Sequence, residues 1–166
     1  MTDDPKHSTP EAEPNGSVQF LRPLGYVEPV PIIRRVRNRE LYLGNQHAAD
    51  PTAHDRSFSV VLTVSSDEQP LTTHHRPLTD GPGNDWRAFT DAVDTARRLQ
   101  RHEGSLLIHC KAGISRSSTV LATALAANEG CAFDDALTRV QLARPAAVPH
   151  PKLHELAVTY LAARSE

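Results

Sequence analysis

The sequence predicts an α/β fold in which helices flank a central, mainly parallel, twisted sheet of four to five strands. Two observations favour this fold class. Short apolar runs rich in β-branched residues, such as FSVVLTVSS and SLLIH, alternate with longer segments that carry a helical apolar stripe. In addition, SLLIH is followed by a short glycine-containing loop and an alanine-rich run, which places a loop between a core strand and a central helix.

The length of 166 residues suits one domain with a sizeable core. We expect a disordered tail over residues 1–17, a proline-rich arm over residues 18–33, and one folded domain over residues 34–166. The formal charge of −2 gives no reason to expect a nucleic-acid partner, and no apolar run reaches the ~18 residues of a transmembrane segment. Two cysteines do not form a disulfide framework and the N-terminus does not resemble a signal peptide, so we expect a cytoplasmic protein.

The predicted strands lie near residues 38–43 and 58–64, with a shorter one in LTTHHRPL before a Gly-Pro-Gly loop. Several arginines precede or open the first strand: Arg34, Arg35, Arg37 and Arg39. These side chains either meet an anionic substrate or guard a solvated edge strand. The second interpretation is favoured, because charged residues commonly protect strand edges.

Four helices are predicted. The first carries apolar residues from Trp86 to Leu99 at three- and four-residue steps and ends near His102. The second is the alanine-rich run closed by Gly130, and two more follow in FDDALTRVQLARP and PKLHELAVTYLAAR. Trp86 either flanks a substrate or packs on the core, and its place on the apolar stripe favours packing.

The segment HCKAGISRSS, residues 109–118, carries the strongest chemical indication in the sequence. Small residues and a glycine let the backbone curl so that successive N–H groups face one concavity, and the helix N-terminus adds partial positive charge. This concavity suits a tetrahedral oxyanion such as phosphate, two oxygens of which the Arg116 guanidinium can hold at once. The residues expected to bind the substrate in this phosphate-binding loop are Lys111, Ala112, Gly113, Ile114, Ser115 and Arg116.

A thiol stands at the mouth of this loop. The N–H groups and the helix end that attract phosphate favour thiolate over thiol, so Cys110 is expected to be a nucleophile at neutral pH. His109 is expected to orient the loop through hydrogen bonds, and Ser117 to donate a hydrogen bond to the sulfur when it leaves a covalent intermediate. An inert packing role suits Cys131 better than Cys110, because Cys131 lies beyond the far end of the central helix.

Phosphoryl transfer also needs a proton donor for the leaving oxygen. Asp80 lies in the Gly-Pro loop upstream of Cys110 and is the favoured candidate. Asp85 competes with it for this role. Its position directly before Trp86 is better explained as a helix cap, a role that Asn84 could also fill.

Together these residues resemble the HCxxGxxR[ST] signature of the cysteine-dependent protein tyrosine phosphatase superfamily, and most of all its dual-specificity branch. The similarity extends from about Arg34 to Ala163 and includes RRVRNRELYLGNQHAA, VVLTVSS, PLTDGPGND and the closing Arg-Pro step. It implies a phosphocysteine formed by Cys110, with Asp80 acting as acid and then as base, and no metal or cofactor. The implied substrates are phosphotyrosine and phosphoserine or phosphothreonine in proteins.

Other functions fit the sequence less well. A phosphatase of phospholipids or phosphoinositides is the main alternative; Lys111 would favour it, but Ile114 stands where a second basic residue would help to bind an inositol phosphate. A rhodanese-type sulfurtransferase has a shorter loop and lacks the upstream acid. Low-molecular-weight phosphatases and arsenate reductases place the cysteine before the acid. An inactive phosphate-binding module would normally have lost the cysteine, the arginine or the acid.

No metal site is predicted. The chain has nine histidines, but they lack carboxylate or cysteine partners at ligand spacing. The histidines that stand close together in the sequence are His74 with His75 and His150 with His154.

Overall fold

The computed structural model describes residues 27–37 and 39–164. The expected disordered tail and most of the expected arm lie outside the described residues. The elements in chain order are β1 (Ile33–Arg35), β2 (Leu41–Gly44), a short 3₁₀ helix (Gln46–Ala49), β3 (Val60–Thr63), β4 (His74–His75), α1 (Trp86–Gln100), β5 (Leu106–His109), α2 (Arg116–Glu129), α3 (Phe133–Ala143) and α4 (Pro151–Arg164).

The five strands form one sheet in the order β1-β2-β5-β3-β4. β1 pairs antiparallel with β2 at one edge, and the other three pairings are parallel. The register aligns Gly44, His109 and Thr63, the last residues of β2, β5 and β3. Because parallel strands end at the same edge of a sheet, the segments that follow these residues start side by side. The predicted α/β fold with a mainly parallel sheet is confirmed.

Alternate residues of the inner strands face two different apolar layers, as expected for strands buried on both faces. Leu43, Leu62 and Ile108 belong to the larger core, which α1, α2, α3 and α4 help to form. The other face carries a smaller cluster that consists of Tyr42, Ala48, Ala49, Val61 and Leu107. Among the described helices, none has both the length and the apolarity needed to cross a membrane.

The central helix is α2, and its sequence explains its position. Its residues from 117 to 126 are all buried, which requires small or apolar side chains on every side of the helix. It contacts α1, α3 and α4 as well as β2 and β5. The start of α2 is therefore fixed from all directions, and so is the loop that leads into it.

The first predicted strand begins later than expected. β2 starts at Leu41 rather than near residue 38, and a separate strand, β1, precedes it. Arg37 adopts a left-handed φ of 58° in the turn between the two strands, which lets the chain reverse into an antiparallel pair. This turn lies in a run of charged residues. Such a run has no apolar alternation, so the sequence does not indicate where β1 ends or where β2 begins.

The arginines around this turn form ion pairs at the edge of the domain. Arg35 pairs with Glu40 at 3.1 Å. Arg37 and Arg39 pair with Glu129 at 3.3 and 3.1 Å. This arrangement agrees with the favoured interpretation of a charged edge strand.

Candidate active site

The phosphate-binding loop, residues 110–116, joins the end of β5 to α2, whose first residue is Arg116. β5 is the middle strand of the sheet, so the ends of β2 and β3 lie on either side of the loop. The N–H of Cys110 donates to the carbonyl of Gly44 (3.4 Å), and the N–H of Gln46 donates to the carbonyl of Lys111 (3.0 Å). These bonds fix the first half of the loop against the segment that follows β2.

The carbonyl groups and the N–H groups of the loop backbone differ in their hydrogen bonding. Every carbonyl from Lys111 to Ser115 accepts a hydrogen bond, from another segment of the chain or from α2. Among the hydrogen bonds that join described residues, none has an N–H of residues 111–116 as its donor. Because backbone N–H groups require acceptors, the loop offers a row of donors to an anion next to the Cys110 thiol.

Gly113 allows the loop to curl tightly. Its φ of +69° lies in the left-handed region, which a residue with a Cβ adopts only at a cost. A Cβ at this position would lie 2.8 Å from the carbonyl oxygen of Gly44. The loop therefore packs directly on the backbone at the end of β2, with no room for a side chain between them.

The N-terminus of α2 has no side-chain cap. Ser115 occupies the N-cap position, but its hydroxyl accepts a hydrogen bond from the N–H of His150 (2.9 Å) instead of one from the first turn. The first-turn amides and the positive end of the helix dipole therefore remain available to a negatively charged group in the loop.

The Cys110 thiol is buried, with 2% of the residue exposed. Its Sγ lies 3.1 Å from the hydroxyl oxygen of Ser117, which is fully buried in the first turn of α2. This places a hydroxyl donor against the sulfur from the helix side. The pairing is the one that the sequence predicts for these two residues, and their catalytic roles remain predictions.

His109 lies at the centre of a directional hydrogen-bond chain. Burial lowers its pKa to about 4 from the ordinary 6.5, although the hydrogen bond to the carbonyl of Cys110 opposes this shift. The neutral ring therefore donates from Nδ1 to that carbonyl (3.3 Å) and accepts at Nε2 from the hydroxyl of Thr63 (2.7 Å). Thr63 in turn lies 2.7 Å from the hydroxyl of Thr72. This chain fixes the ring across the ends of β5 and β3, as an orienting role requires.

Arg116 joins the phosphate-binding loop to the segment that carries the expected acid. Its Nη1 donates to the carbonyl of Leu78 (3.2 Å), two residues before Asp80. No ion pair with a carboxylate involves Arg116 among the residues that the structure describes. Its guanidinium therefore keeps donor capacity for an anion.

Asp80 is exposed in the loop between β4 and α1, and Asn84 holds this loop in shape. The Asn84 side chain accepts from the N–H of Thr79 (2.8 Å) and donates to the carbonyls of Thr79 (2.8 Å) and Gly81 (3.1 Å). These bonds bracket Asp80 on both sides. The loop is thus ordered while the carboxylate itself remains accessible to a substrate.

Asp85 caps α1, and Trp86, the first residue of that helix, is partly packed and partly exposed. Asp85 is the N-cap of α1, and its carboxylate accepts from the N–H of Arg87 (3.1 Å), so the cap interpretation is confirmed. Trp86 is 40% exposed, and its ring lies over that of Phe89 with a centroid distance of 6.3 Å. Both residues belong to the start of the helix.

Cys131 and the histidines form no second reactive site in the described part of the chain. Both cysteines are free, and Cys131 is half-buried with Nη1 of Arg139 3.7 Å from its sulfur. Within residues 27–37 and 39–164, no group of three or more histidine, cysteine or acidic residues is arranged to hold a metal ion.

Three polar residues that shape the site have roles that the sequence analysis did not assign to them, and Asn84 among them is not the cap of α1. Arg144 binds loop carbonyls, Asn84 closes the acid loop, and Asn45 ties the segment after β2 to the chain before β1. Asn45 directly follows the strand pattern LYLG, and Arg144 lies in the Arg-Pro step. Polar residues at the ends of strands and helices often form hydrogen bonds with backbone groups, so these two positions could have indicated such a role in the sequence.

Comparison with known proteins gives a consistent result. Residues 41–160 match the family model described as dual specificity phosphatase, catalytic domain. Dual specificity protein phosphatase 1 of Arabidopsis thaliana is 32% identical over 118 residues, which cover 66% of this chain and 60% of that protein. Human dual specificity phosphatase 28 is 30% identical over 131 residues, which cover 74% of this chain and 73% of that protein. The match covers 33% of mouse dual specificity protein phosphatase 19 and 50% of mouse dual specificity protein phosphatase 15.

Solved structures share the fold. A crystal structure of a variant of human dual specificity phosphatase 28 has a TM-score of 0.70 at 26% identity, covering 81% of this chain and 97% of that one. A mouse putative dual specificity phosphatase, complexed with zinc tungstate, has a TM-score of 0.68 at 27% identity, covering 85% of this chain and 94% of that one. With the family model matching most of its length, the chain belongs to the dual specificity phosphatase catalytic-domain family.

Proposed function

We propose that this chain hydrolyses phosphomonoesters of phosphotyrosine and of phosphoserine or phosphothreonine in proteins, through a cysteinyl-phosphate intermediate. The observation that carries the proposal is the state of the phosphate-binding loop. Its carbonyls are bonded to other parts of the chain, while its amides, from residue 111 to 116, have no hydrogen-bond acceptor among the described residues and can bind a phosphoryl group beside the Cys110 sulfur.

The first step forms a sulfur–phosphorus bond. The Cys110 thiolate attacks phosphorus, the bond from phosphorus to the leaving oxygen breaks, and the Asp80 carboxylic acid gives its proton to that oxygen. The loop amides and the Arg116 guanidinium hold the other phosphoryl oxygens. These donors are positioned before the reaction, so they stabilise the developing charge without reorganisation.

The second step returns the enzyme to its starting state. The Asp80 carboxylate takes a proton from water, the water oxygen bonds to phosphorus, and the sulfur–phosphorus bond breaks to release inorganic phosphate. Ser117 donates its hydroxyl hydrogen bond to the departing sulfur, 3.1 Å away, and so stabilises the thiolate. The mechanism needs a reduced thiol, which the reducing cytoplasm would maintain, and this agrees with a cytoplasmic location.

A protein substrate is favoured over a lipid or an inositol phosphate. Lys111 is exposed, but Ile114 is buried and its carbonyl accepts the N–H of Val148, so position 114 does not supply a second cation. The family to which the chain belongs is named for phosphatases of dual specificity, which supports phosphotyrosine together with phosphoserine or phosphothreonine.

Replacement of the nucleophile tests the mechanism directly. We expect Cys110→Ser to abolish hydrolysis of p-nitrophenyl phosphate, because a serine hydroxyl is a far weaker nucleophile than a thiolate. The same variant should still bind tungstate, a tetrahedral oxyanion like phosphate, since the loop amides are unchanged. Hydrolysis at the wild-type rate by Cys110→Ser would refute the proposal.

The acid is tested by a matched pair of substitutions. We expect Asp80→Asn to lower kcat about 10²- to 10⁴-fold for phenyl phosphate, whose leaving group needs a proton, and much less for p-nitrophenyl phosphate. Asp85→Asn is the control, because an asparagine caps a helix as well as an aspartate does. An equal loss of activity in Asp85→Asn would contradict the assignment to Asp80.

The substrate class is tested with a panel of phosphotyrosine peptides, phosphothreonine peptides and phosphoinositide vesicles. We expect kcat/KM to be highest for the peptides. A higher value for the phosphoinositide would replace the protein substrate with a lipid one and leave the mechanism intact.

A further inference from the structure

A buried arginine outside the sequence motif holds the phosphate-binding loop from behind. Arg144 lies directly after α3, and 7% of its side chain is exposed. Its Nε donates to the carbonyl of Gly113 (3.3 Å) and its Nη2 to the carbonyl of Ala112 (3.3 Å). One guanidinium thus bonds two successive carbonyls of the loop.

These two bonds determine which way the loop amides point. In a planar trans peptide, the carbonyl of one residue and the N–H of the next point in opposite directions. Because one guanidinium binds the carbonyls of Ala112 and Gly113, both carbonyls point toward Arg144. The N–H groups of Gly113 and Ile114 therefore point together toward the opposite side, where the left-handed φ of Gly113 allows a concave pair of donors.

A charged group in the apolar interior requires a partner, and Glu28 supplies it. Both carboxylate oxygens of Glu28 lie 3.0 Å from Nη2 of Arg144. Removal of this carboxylate would leave a buried guanidinium whose charge has no counterion. The ion pair fixes the side chain in the position from which it reaches the loop.

The segment that carries Glu28 is itself tied to the site. The side chain of Asn45 donates to the carbonyls of Val30 (2.9 Å) and Glu28 (3.5 Å) and accepts from the N–H of Ile32 (3.0 Å). Asn45 is fully buried and directly follows Gly44, on which the phosphate-binding loop packs. The chain before β1 is therefore held against the rear of the loop at two separate points.

From these contacts we infer that Arg144, held by Glu28, is a positioning residue that aims the N–H groups of Gly113 and Ile114 at the phosphoryl oxygens. The inference rests on the proposed function, since it assumes that this loop binds the substrate's phosphate. It adds that residues before β1 and after α3 tune the affinity of the loop for oxyanions.

The test measures oxyanion affinity separately from turnover. Arg144→Lys keeps the charge beside Glu28, but an ammonium group does not reproduce the planar pair of donors that meets both carbonyls. In the full chain carrying Cys110→Ser, we expect Arg144→Lys to weaken tungstate binding about tenfold by isothermal titration calorimetry. Glu28→Gln should weaken it in the same direction by a smaller factor, because the amide still accepts a hydrogen bond from Arg144.

The kinetic signature distinguishes positioning from general destabilisation. With Cys110 present, we expect Arg144→Lys to raise KM for p-nitrophenyl phosphate about tenfold with a smaller change in kcat, because the same amides bind phosphate before and during the reaction. Arg139→Lys is the matched control: Arg139 lies on α3, pairs with Glu129 and makes no hydrogen bond to the loop. It should lower the melting temperature without changing tungstate affinity.

The outcomes separate the two proposals. Unchanged tungstate affinity in both Arg144→Lys and Glu28→Gln, or an equal loss in Arg139→Lys, would overturn the positioning role. If Arg144→Lys does not fold, as judged by circular dichroism, Glu28→Gln alone decides the question. A chain that does not hydrolyse p-nitrophenyl phosphate but loses tungstate affinity with Arg144→Lys would refute the proposed function and leave the positioning role standing.

Discussion

The substitution Gly113→Ala tests how the phosphate-binding loop depends on its backbone, and its effect can be worked out from the structure. The φ of +69° costs a residue with a Cβ about 1–2 kcal/mol. The new Cβ would also lie 2.8 Å from the carbonyl oxygen and 2.9 Å from the carbonyl carbon of Gly44. Overpacking of this kind costs about 1–3 kcal/mol. The two contributions together lower the unfolding free energy by about 2–5 kcal/mol.

Gly44 cannot move away cheaply, because it is itself confined. Its carbonyl accepts the N–H of Cys110, and a Cβ on Gly44 would lie 2.6 Å from that of Ala48. The loop must therefore absorb much of the displacement, which moves its amides relative to one another. We expect Gly113→Ala to reduce tungstate affinity by at least about tenfold in addition to its effect on stability.

Gly130→Ala is the matched control. Gly130 is the C-cap of α2, its φ is +68°, and a Cβ there would meet nothing within 4 Å. This substitution carries the same backbone cost of about 1–2 kcal/mol without the clash, and it lies at the opposite end of α2 from the loop. The difference in unfolding free energy between the two variants, measured by urea unfolding, gives the contribution of the clash to stability. Tungstate titration of both variants shows whether the clash also lowers the affinity of the loop. Equal stability of the two variants, with full tungstate affinity in Gly113→Ala, would refute the reasoning.

Two further predictions concern the residues on either side of the thiol. In the unfolded chain His109 binds a proton as pH falls below 6.5, whereas in the folded chain its pKa is about 4. Between these two pH values protonation favours the unfolded state, so the free energy of unfolding should fall by up to about 3 kcal/mol as pH is lowered. Urea unfolding at pH 7 and pH 4.5 should show a smaller fall for His109→Gln, and an equal fall would contradict the assigned cause. Ser117→Ala should lower kcat for p-nitrophenyl phosphate about 10²-fold and reveal a stopped-flow burst of p-nitrophenol, because breakdown of the phosphocysteine loses its hydroxyl donor. A reduced kcat without any burst would contradict that role.

The parts of the site that the sequence predicts are those encoded locally. Strand, loop and helix follow one another directly around Cys110, so the order of residue types alone indicates a nucleophile, an arginine and a row of amides. The cap at Asp85 is equally local, because its carboxylate bonds to an N–H two residues away. The sheet was predictable for a related reason: its inner strands are buried on both faces and therefore carry unbroken apolar runs.

The parts that the sequence did not predict depend on partners far along the chain. Arg144 meets the loop 31 residues after Gly113 and meets Glu28 across 116 residues. A polar side chain in a loop has no periodic pattern to indicate which backbone group it will bond. The strand β1 was hidden for a different reason, because it contributes three residues to the sheet and two of them are exposed arginines.

The phosphate-binding loop shows why the motif alone does not specify the site. Its amides are available because its carbonyls are bonded elsewhere, and the donors come from Gln46 after β2, Arg144 after α3, Val148 before α4, and side chains of α2. A loop with the same amino-acid sequence but without these donors could turn its carbonyl oxygens toward the anion and repel it. The chemistry of HCKAGISRSS therefore depends on the fold around it, because residues outside the motif determine how its peptide groups are oriented.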